Sequence, residues 1–190
     1  MRLIIVGPQG VGKGTQAKIL ANFKGIPHIS TGDIFRDNMD CHTVLGEQVQ
    51  EIINHGSLVN DEIVNRMVVD RLSQKDVQDG FILDGYPRNA DQVEFLDQFL
   101  DQRGQAIDLV VSLVAPKEYL VQRMNKRAQE EGRSDDTDEA ISHRLEEFER
   151  QTKPIIDLYE KRNLVVTINA TGTIDDVSKT MLAMLMTRLS

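Results

Sequence analysis

A glycine-rich segment that could hold phosphate groups stands near the start of the chain. Residues 7–15 read Gly-Pro-Gln-Gly-Val-Gly-Lys-Gly-Thr and directly follow a short apolar run. Glycines allow successive backbone N–H groups to turn toward an anion, a following helix adds partial positive charge, and Lys13 brings a full charge to the phosphates. This order of strand, loop and lysine predicts a nucleotide-binding P-loop. The alternative is a glycine-rich turn without a ligand.

Two further apolar runs end in side chains that suit an anion or a metal ion. Thr31 follows the second run, and Arg36 lies near the first turn of the helix expected next. Residues 81–88 read Phe-Ile-Leu-Asp-Gly-Tyr-Pro-Arg, so a buried strand would end in Asp84 and a tight turn would present Arg88. A carboxylate at a strand end is suited to hold Mg²⁺ through water. In each segment the alternative is a simple helix cap.

Four arginines bracket one polar stretch of the chain. Arg123 and Arg127 are four residues apart and would share a helix face, while Arg133 and Arg144 flank the acidic pair at 135–136. A planar guanidinium can contact two oxygens of a phosphoryl group, whose charge spreads over its equatorial oxygens during transfer. The set therefore indicates phosphoryl-transfer chemistry. The alternative for any one arginine is a solvent-facing ion pair.

Short apolar runs that alternate with helical patterns would position these side chains. Runs bounded by Gly, Pro or Asp are typical of strands buried on both faces of a sheet. The alternation predicts an α/β fold with a doubly wound, parallel, five-stranded sheet and helices on both faces. Ligands would then gather at the carboxyl ends of the strands. The predicted strands span residues 3–6, 26–30, 81–83, 109–114 and 164–168.

Two stretches do not fit easily into that core. Residues 31–73 have a helical pattern but many polar side chains, and residues 129–138 are nearly all polar. Both are predicted to be excursions over the sheet edge. Pro154 interrupts a helical pattern, so a kink or break is expected there.

Composition restricts the function classes. The length of 190 residues, with 40% hydrophobic and 27% charged side chains, suits one globular domain. A net charge of −8 argues against a nucleic-acid binder. Cys41 is the single cysteine, which excludes an intrachain disulfide and a cysteine-rich zinc site and suits a reducing compartment. No apolar run suits a signal peptide or a membrane span, so a cytoplasmic protein is expected.

The P-loop also carries a family resemblance. Residues 12–16 read Gly-Lys-Gly-Thr-Gln, with a glycine after the lysine and the hydroxyl one position later than in the general pattern, and this variant resembles the adenylate kinase loop. Similar matches run along almost the whole chain. The resemblance implies a monomeric nucleoside monophosphate kinase that transfers the terminal phosphoryl group of Mg·ATP to AMP and gives two ADP. It assigns to ATP the residues Gly10, Val11, Gly12, Lys13, Gly14, Thr15, Arg123, Arg127 and Gly172.

The resemblance likewise implies an acceptor site and a lid. An NMP-binding insertion is expected at about 30–59 and a short lid at about 126–136, whose arginines would close over the phosphates and expel water. Gln92 would read the adenine edge through its side-chain amide. The residues assigned to AMP are Thr31, Arg36, Ser57, Leu58, Val59, Gly85, Arg88, Gln92, Arg133 and Arg144.

Catalysis would then depend on position and charge. The residues assigned to it are Lys13, Asp84, Arg88, Arg123, Arg133 and Arg144, with Asp84 holding Mg²⁺ through water. The phosphate of AMP already carries charge, so no general base is needed and the histidines are expected to be surface or packing residues. The short lid lacks cysteine, so no zinc is expected. Gly132 is a candidate hinge.

Alternative functions differ at the acceptor site. Asn89, directly after Arg88, resembles the pattern of UMP/CMP kinases, whereas Thr31 and Gln92 favour AMP. An ATP-binding regulatory module would keep the P-loop but would not need Arg36, Arg88 and Gln92. The donor could be ATP or GTP, since both fit a P-loop.

Overall fold

The parallel sheet predicted from the sequence is present. The computed structural model describes residues 1–131 and 137–188. Five strands form one parallel sheet in the order β2-β3-β1-β4-β5, which confirms the predicted α/β fold. The strands are β1 (Arg2–Val6), β2 (His28–Ser30), β3 (Phe81–Asp84), β4 (Leu109–Val114) and β5 (Val165–Asn169).

The helices cover both faces of this sheet. Nearly all of them lie in the connections between strands, as right-handed crossovers of a parallel sheet require. The α-helices are α1 (Lys13–Lys24), α2 (Thr31–Asp40), α3 (Val44–Asn54), α4 (Asp61–Leu72), α5 (Ala90–Asp101), α6 (Lys117–Glu131), α7 (Asp138–Glu147), α8 (Lys153–Glu160) and α9 (Ile174–Arg188). Among residues 1–131 and 137–188, every helix is too short or too polar to span a membrane.

Each central strand contributes to two apolar layers, one on each face of the sheet. In β1, Ile4 belongs to one layer and Leu3 and Ile5 to the other, and all three are at most 1% exposed. Alternate residues of a strand point to opposite faces, so a strand that is apolar at every position needs cover on both sides. Burial of each such side chain contributes about 1.5–3 kcal/mol.

The prediction that residues 31–73 form an excursion is wrong for their C-terminal part. Helix α4 buries Val64, Val68 and Leu72 in the same layer as Ile4. Spacing of four residues places the three on one helix face. The polar residues that suggested an excursion lie on the opposite face, where Arg66 pairs with a neighbouring glutamate in solvent.

The helix that precedes Pro154 is interrupted as predicted. A π-helical turn at Phe148–Thr152 separates α7 from α8, and Pro154 lies in the first turn of α8. Proline is tolerated in a first turn because its missing N–H has no partner within the helix there. Phe148 and Thr152, the two end residues of the turn, face the sheet edge at which β1, β2 and β3 end, so the turn also helps to shape the site.

Candidate functional site

A cavity of about 800 Å³ lies at the carboxyl ends of β1, β2 and β3. Its position agrees with the expectation that ligands of a parallel sheet gather at this edge. The cavity brings together most of the described residues that the sequence singles out. These are Gly10, Gly12, Lys13, Gly14, Thr15, Thr31, Arg36, Ser57, Leu58, Val59, Asp84, Gly85, Arg88, Gln92, Arg123, Arg127 and Arg144.

The P-loop joins β1 to α1 along one side of this cavity. Gly10 has a φ of +80°, and a Cβ there would lie 2.8 Å from Cγ of Met124 on α6. Only glycine satisfies both the left-handed backbone and the close approach. Lys13 opens α1, and its Nζ donates to the carbonyl oxygens of Gly7 and Pro8 at 2.8 and 3.0 Å. The ammonium is therefore held at the mouth of the loop.

The surroundings of Lys13 lower the pKa of its ammonium group. The pKa of Lys13 is lowered to about 8, mainly by burial; Asp84 opposes this shift, and the cations of Arg88 and Arg127 contribute to it. A charged ammonium loses hydration in such a position, which favours the neutral form. A bound anion would supply the missing counter-charge.

Asp84 ends β3 beside the P-loop. It is 7% exposed, and its Cα is paired with that of Ile5 on the neighbouring strand. A contact missed from the sequence joins it to His28, whose Nε2 lies 3.3 Å from Asp84 Oδ2. The histidine faces β3 because its own strand is the next one in the sheet. His28 thus contacts the Asp84 carboxylate directly. The sequence predicted only a surface or packing role for this histidine.

A single carboxylate at this position suits magnesium. Mg²⁺ usually keeps several waters and is held by one or two carboxylates together with substrate phosphates. Asp84 lies next to the phosphate loop and is the carboxylate that fits this description. Within residues 1–131 and 137–188, no group of three or more His, Cys, Asp or Glu side chains could hold a metal ion without a substrate.

Arginines form the opposite side of the cavity. Arg88 donates from Nε to the carbonyl oxygen of Gly85 at 2.8 Å, and Thr152 in the π-helical turn donates to the Arg88 carbonyl oxygen at 2.9 Å. Burial lowers the pKa of Arg88; Asp84 acts against this, and the cations of Arg144 and Arg36 add to it. These guanidiniums are close enough to repel one another, and an anion between them would relieve the repulsion.

Arg36 is oriented by an acid on its own helix. It forms an ion pair with Asp33, three residues earlier on α2. Partial burial acts to raise the pKa of Asp33, but the hydrogen bond and the charge of Arg36 together hold it below its usual value. The nearby Gly85 has a φ of +81°, and a Cβ there would lie 2.6 Å from Thr31 Oγ1. The backbone of this turn thus approaches α2 as closely as a glycine allows.

Gln92 lies on the first turn of α5 and is 2% exposed. Its Oε1 accepts from the backbone N–H of Arg88 at 2.8 Å, and its Nε2 donates to Asp61 Oδ1 at 2.6 Å. Asn89 is the N-cap residue of α5 and does not line the cavity as far as the described residues define it. The sequence marks Asn89 as a departure at the acceptor site, and the structure gives it a helix-capping role.

The remaining arginines reach the cavity from α6 and α7. The guanidinium of Arg123 lies 3.5 Å from the carbonyl oxygen of Val11 and 5.6 Å from the ring centre of Tyr119. Arg144 donates to the carbonyl oxygen of Ile53, near the end of α3, at 2.8 Å. A cation at that position also complements the partial negative charge of a helix C-terminus. Arg133 and the candidate hinge Gly132 lie outside the described residues.

Val11 and Gly172 line a small adjoining pocket rather than the main cavity. The two spaces share Gly12, Thr15, Arg123 and Ile174. The pocket is closed on one side by Gln16, which is 4% exposed. Gln16 donates to the carbonyl oxygen of Ile174 at 3.2 Å and accepts from the hydroxyl of Ser178 at 2.9 Å. The glutamine that marks the P-loop variant therefore joins α1 to α9.

Several cavity residues were not anticipated from the sequence. Lys126 follows Arg123 by three residues and shares its helix face, a spacing that could have identified it. Lys18 and Thr152 have no comparable local signal, because their approach to the cavity depends on how separate helices pack. The additional lining residues that carry a polar side chain include Lys18, Asp33, Tyr119, Lys126, Glu147 and Thr152.

Comparison with known proteins gives a consistent result. A sequence model described as adenylate kinase matches residues 5–164. A protein of Bifidobacterium longum named adenylate kinase is 52% identical over 178 residues, 94% of this chain and 96% of its own. A protein of Thermobifida fusca with the same name is 47% identical over 188 residues, 99% of this chain and 100% of its own. One of Kocuria rhizophila is 48% identical over 184 residues, covering 97% and 98% of the two chains.

Proposed function

The chain belongs to the adenylate kinase family, and we propose that its cavity binds ATP and AMP together, so that one phosphoryl group passes directly between them. Adenylate kinase activity itself follows from the family. The observation that carries the proposal is the meeting of two cationic groups in one cavity, the P-loop with Lys13 on one side and Arg36 with Arg88 on the other. Two phosphate-bearing ligands would balance both.

The P-loop side is the proposed ATP site. Backbone N–H groups of Gly10, Gly12 and Gly14, with the N-terminus of α1, would surround the β- and γ-phosphates. Lys13, Arg123 and Arg127 would add full charges there. Val11 would contact ATP from the loop, and the backbone of Gly172 would lie near the adenine. Thr15, which lines both spaces, would contact the phosphates from the first turn of α1.

The opposite side is the proposed AMP site. Arg36 and Arg88 would hold the α-phosphate, which also offsets the mutual repulsion of the arginines. Thr31 and Gln92 would face the base. Ser57, Leu58 and Val59, in the connection between α3 and α4, would contact AMP through backbone and apolar atoms, and Gly85 would allow its close approach.

We propose that the parts around the sheet edge close on the two nucleotides. The NMP-binding insertion would comprise about residues 30–59 and the short lid about residues 126–136, within a single kinase domain. Arg144 and Arg133 would bridge both nucleotides, and the bond from Arg144 to α3 supports a link between the helix that follows the lid and the insertion. Closure would exclude water, which could otherwise accept the phosphoryl group in place of AMP.

The proposed chemistry needs no general base. The phosphate oxygen of AMP already carries charge, so the protein aligns it with the γ-phosphorus and stabilises charge on the transferring group. Lys13, Arg88, Arg123, Arg133 and Arg144 would share that stabilisation. Mg²⁺ would be held through water by Asp84 and would neutralise phosphate charge when bound. Zinc has no place in this proposal.

The acceptor is AMP rather than UMP or CMP in this proposal. Gln92 and Thr31 both line the AMP side of the cavity, whereas Asn89 caps α5. The pyrimidine alternative rested on Asn89, which caps α5 and is not among the described residues that line the cavity, and this favours AMP. We propose ATP rather than GTP as the donor, with the backbone of Gly172 near its adenine.

The direct test is the reverse reaction. The purified protein with Mg²⁺ and ADP should produce equal amounts of ATP and AMP, measured by chromatography. In the forward direction, AMP, UMP, CMP and GMP are offered with ATP, and AMP should be preferred strongly. Failure to convert ADP would contradict the kinase proposal, and a preference for UMP or CMP would contradict the acceptor assignment.

We also propose that the protein acts as a monomer in the cytoplasm. The exposed, free Cys41 supports a reducing compartment. Each proposed site is formed by residues of one chain, so no second subunit is needed. Sedimentation analysis should give a mass near 21.5 kDa at micromolar concentration. A stable dimer in that experiment would overturn the monomer proposal.

A further inference from the structure

The side-chain amide of Gln92 is held on both of its polar atoms. Gln92 Oε1 accepts from the backbone N–H of Arg88 at 2.8 Å, and Gln92 Nε2 donates to Asp61 Oδ1 at 2.6 Å. A backbone N–H can only donate and a carboxylate can only accept. Rotation of the amide by 180° would place an NH₂ group against an N–H and a carbonyl oxygen against a carboxylate. The surroundings therefore select one orientation of the amide.

Asp61 is itself held in place. Asn89 Nδ2 donates to both carboxylate oxygens of Asp61, at 3.1 and 3.0 Å. Asn89 is oriented in turn, because its Oδ1 accepts from the backbone N–H of Gln92 at 2.9 Å. These bonds among Asp61, Asn89, Gln92 and the Arg88 N–H are called the amide network below. Each member of it has a partner that fixes its orientation.

We propose that Asp61 and Asn89 are specificity-determining positioning residues, which select the base of the acceptor by holding the Gln92 amide in one orientation. After its internal bonds, the amide keeps one oxygen lone pair and one N–H. It can therefore offer an acceptor and a donor side by side to a base edge, in a single order. This inference rests on the proposed function, in which Gln92 faces the base of AMP.

The order of acceptor and donor distinguishes two classes of purine. A 6-aminopurine presents an amino donor next to an unprotonated ring nitrogen. A 6-oxopurine presents a carbonyl oxygen next to an N–H, which is the reverse. A freely rotating amide could pair with both, whereas a held amide pairs well with one and opposes the other with like groups. The amide network thus favours 6-aminopurine acceptors over 6-oxopurine acceptors.

The network can be altered without separating the elements that carry it. Helix α4 is also joined to the turn after β3 by the hydroxyl of Tyr86, which donates to Asn65 Oδ1 at 2.7 Å. Thr152 holds the Arg88 carbonyl oxygen from the other side. Three buried side chains of α4 anchor it in the core. Loss of the Asp61 charge should therefore change the amide network more than the fold.

The test compares AMP with inosine monophosphate, a 6-oxopurine acceptor, at saturating Mg·ATP. Asp61→Asn preserves the shape of the side chain but can donate as well as accept, so both amide orientations become possible. The ratio of kcat/KM for AMP to kcat/KM for inosine monophosphate should fall by about tenfold, mainly through a higher KM for AMP. Glu62→Gln is the matched control, since Glu62 is an exposed neighbour that pairs with Arg66, and its ratio should stay unchanged.

A second variant and a direct measurement distinguish loss of the amide network from misfolding of Asp61→Asn. Asn89→Ser retains a hydroxyl that can cap α5 but removes both bonds to Asp61, and should lower the ratio in the same direction. In ¹⁵N NMR spectra, the Gln92 side-chain NH₂ protons should be protected from exchange in the wild type and Glu62→Gln, and lose that protection in Asp61→Asn. An equal loss of activity toward both acceptors, with the ratio unchanged, would show a purely structural role and overturn the proposal.

The outcomes also separate this inference from the proposed function. If the wild type prefers AMP and Gln92→Ala loses that preference, Gln92 reads the base, and an unchanged ratio in Asp61→Asn then overturns only the role of the network. If Gln92→Ala retains the preference, the assignment of Gln92 fails and the inference fails with it. If the wild type does not phosphorylate AMP at all, the proposed function fails first.

Discussion

At the scale of single residues, the fold changes the pH range over which Lys13 is charged. Burial lowers its pKa from 10.5 to about 8. Between these two pH values the unfolded chain binds more protons than the folded one, so the folded state gains stability from this group as pH rises through the window. Phosphate binding needs the protonated form and opposes that trend. The same lysine thus favours folding when neutral and nucleotide binding when charged.

Binding of ATP should therefore weaken above pH 8. In calorimetric titrations, the dissociation constant for Mg·ATP should rise roughly fivefold between pH 8 and pH 9, as the protonated fraction of Lys13 falls. Lys13→Arg is the control, because a guanidinium stays charged over this range. Its affinity, whatever its absolute value, should be nearly independent of pH. A flat profile for the wild type would show that Lys13 remains charged.

Substitution of Gly85 tests whether close packing on the proposed AMP side of the cavity is needed for AMP binding. In Gly85→Ala, the new Cβ would lie 2.6 Å from Thr31 Oγ1 and 3.2 Å from Arg88 Nη2. Both proposed AMP contacts must shift, so KM for AMP should rise by at least about tenfold. Gly104→Ala is the control, since Gly104 also has a positive φ but no atom within 4 Å of its Cβ position. It should lose about 1 kcal/mol of stability and keep its KM; similar kinetics in both variants would argue against the assignment.

At the scale of elements, the NMP-binding insertion depends on close packing between its helices. Gly46 on α3 faces α2, and a Cβ at Gly46 would lie 2.2 Å from the carbonyl oxygen of Asn38. Thr43 caps α3 by accepting from the Gly46 N–H at 3.0 Å. Phe35 and Val49 are buried in the core layer below, whereas the other apolar side chains that α2 and α3 pack against this layer are only partly buried. Contact between the two helices therefore contributes much of the order of this segment.

Gly46→Ala should loosen the insertion more than the rest of the molecule. Steric overlap with α2 backbone would force the helices apart, so amide hydrogen exchange should accelerate in α2 and α3 while the central strands keep their protection. KM for AMP should rise because Arg36 lies on α2. Gln48→Ala, at an exposed position of α3, is the control and should change neither quantity. Uniform acceleration in all elements would contradict local loosening.

At the scale of the whole molecule, one sheet joins two apolar layers. Leu20 on α1 belongs to one layer and Leu96 on α5 to the other, and both are at most 1% exposed. Alternate residues of β1 and β4 enter the two layers, so neither layer can be lost without exposing the same strands. The cavity lies at the end of these strands, and its two cationic sides are held together by the same core.

Leu20→Ala and Leu96→Ala should therefore have matching effects. Each should lower the free energy of unfolding by about 2–5 kcal/mol through lost contacts and a cavity. Calorimetry should show a single transition at a lower Tm in both variants, because the shared sheet couples the layers. Two resolved transitions in either variant would indicate that the layers unfold separately.

Features that depend on neighbouring residues could be predicted from the sequence. The P-loop, the central strands and the break at Pro154 follow from glycine and proline geometry and from apolar runs, all of which are local. The P-loop, Thr31, Asp84 and Arg88 stood out because they follow predicted strands, whose ends a parallel sheet brings to one edge, and the family resemblance supplied their assignments and the other proposed site residues. The strand ends differ from prediction by at most two residues, as fraying and turn residues allow.

Contacts between distant segments could not be predicted from the sequence, because they depend on how the chain folds. Asp61 meets Gln92 across 31 positions, His28 meets Asp84 across 56, and Gln16 meets Ser178 across 162. No local sequence pattern identifies the partner of a carboxylate or an amide, because strand order and helix packing determine which side chains meet. The wrong prediction for α4 has the same cause. Its narrow apolar face is buried only because the sheet lies beneath it, and the sequence does not show that contact.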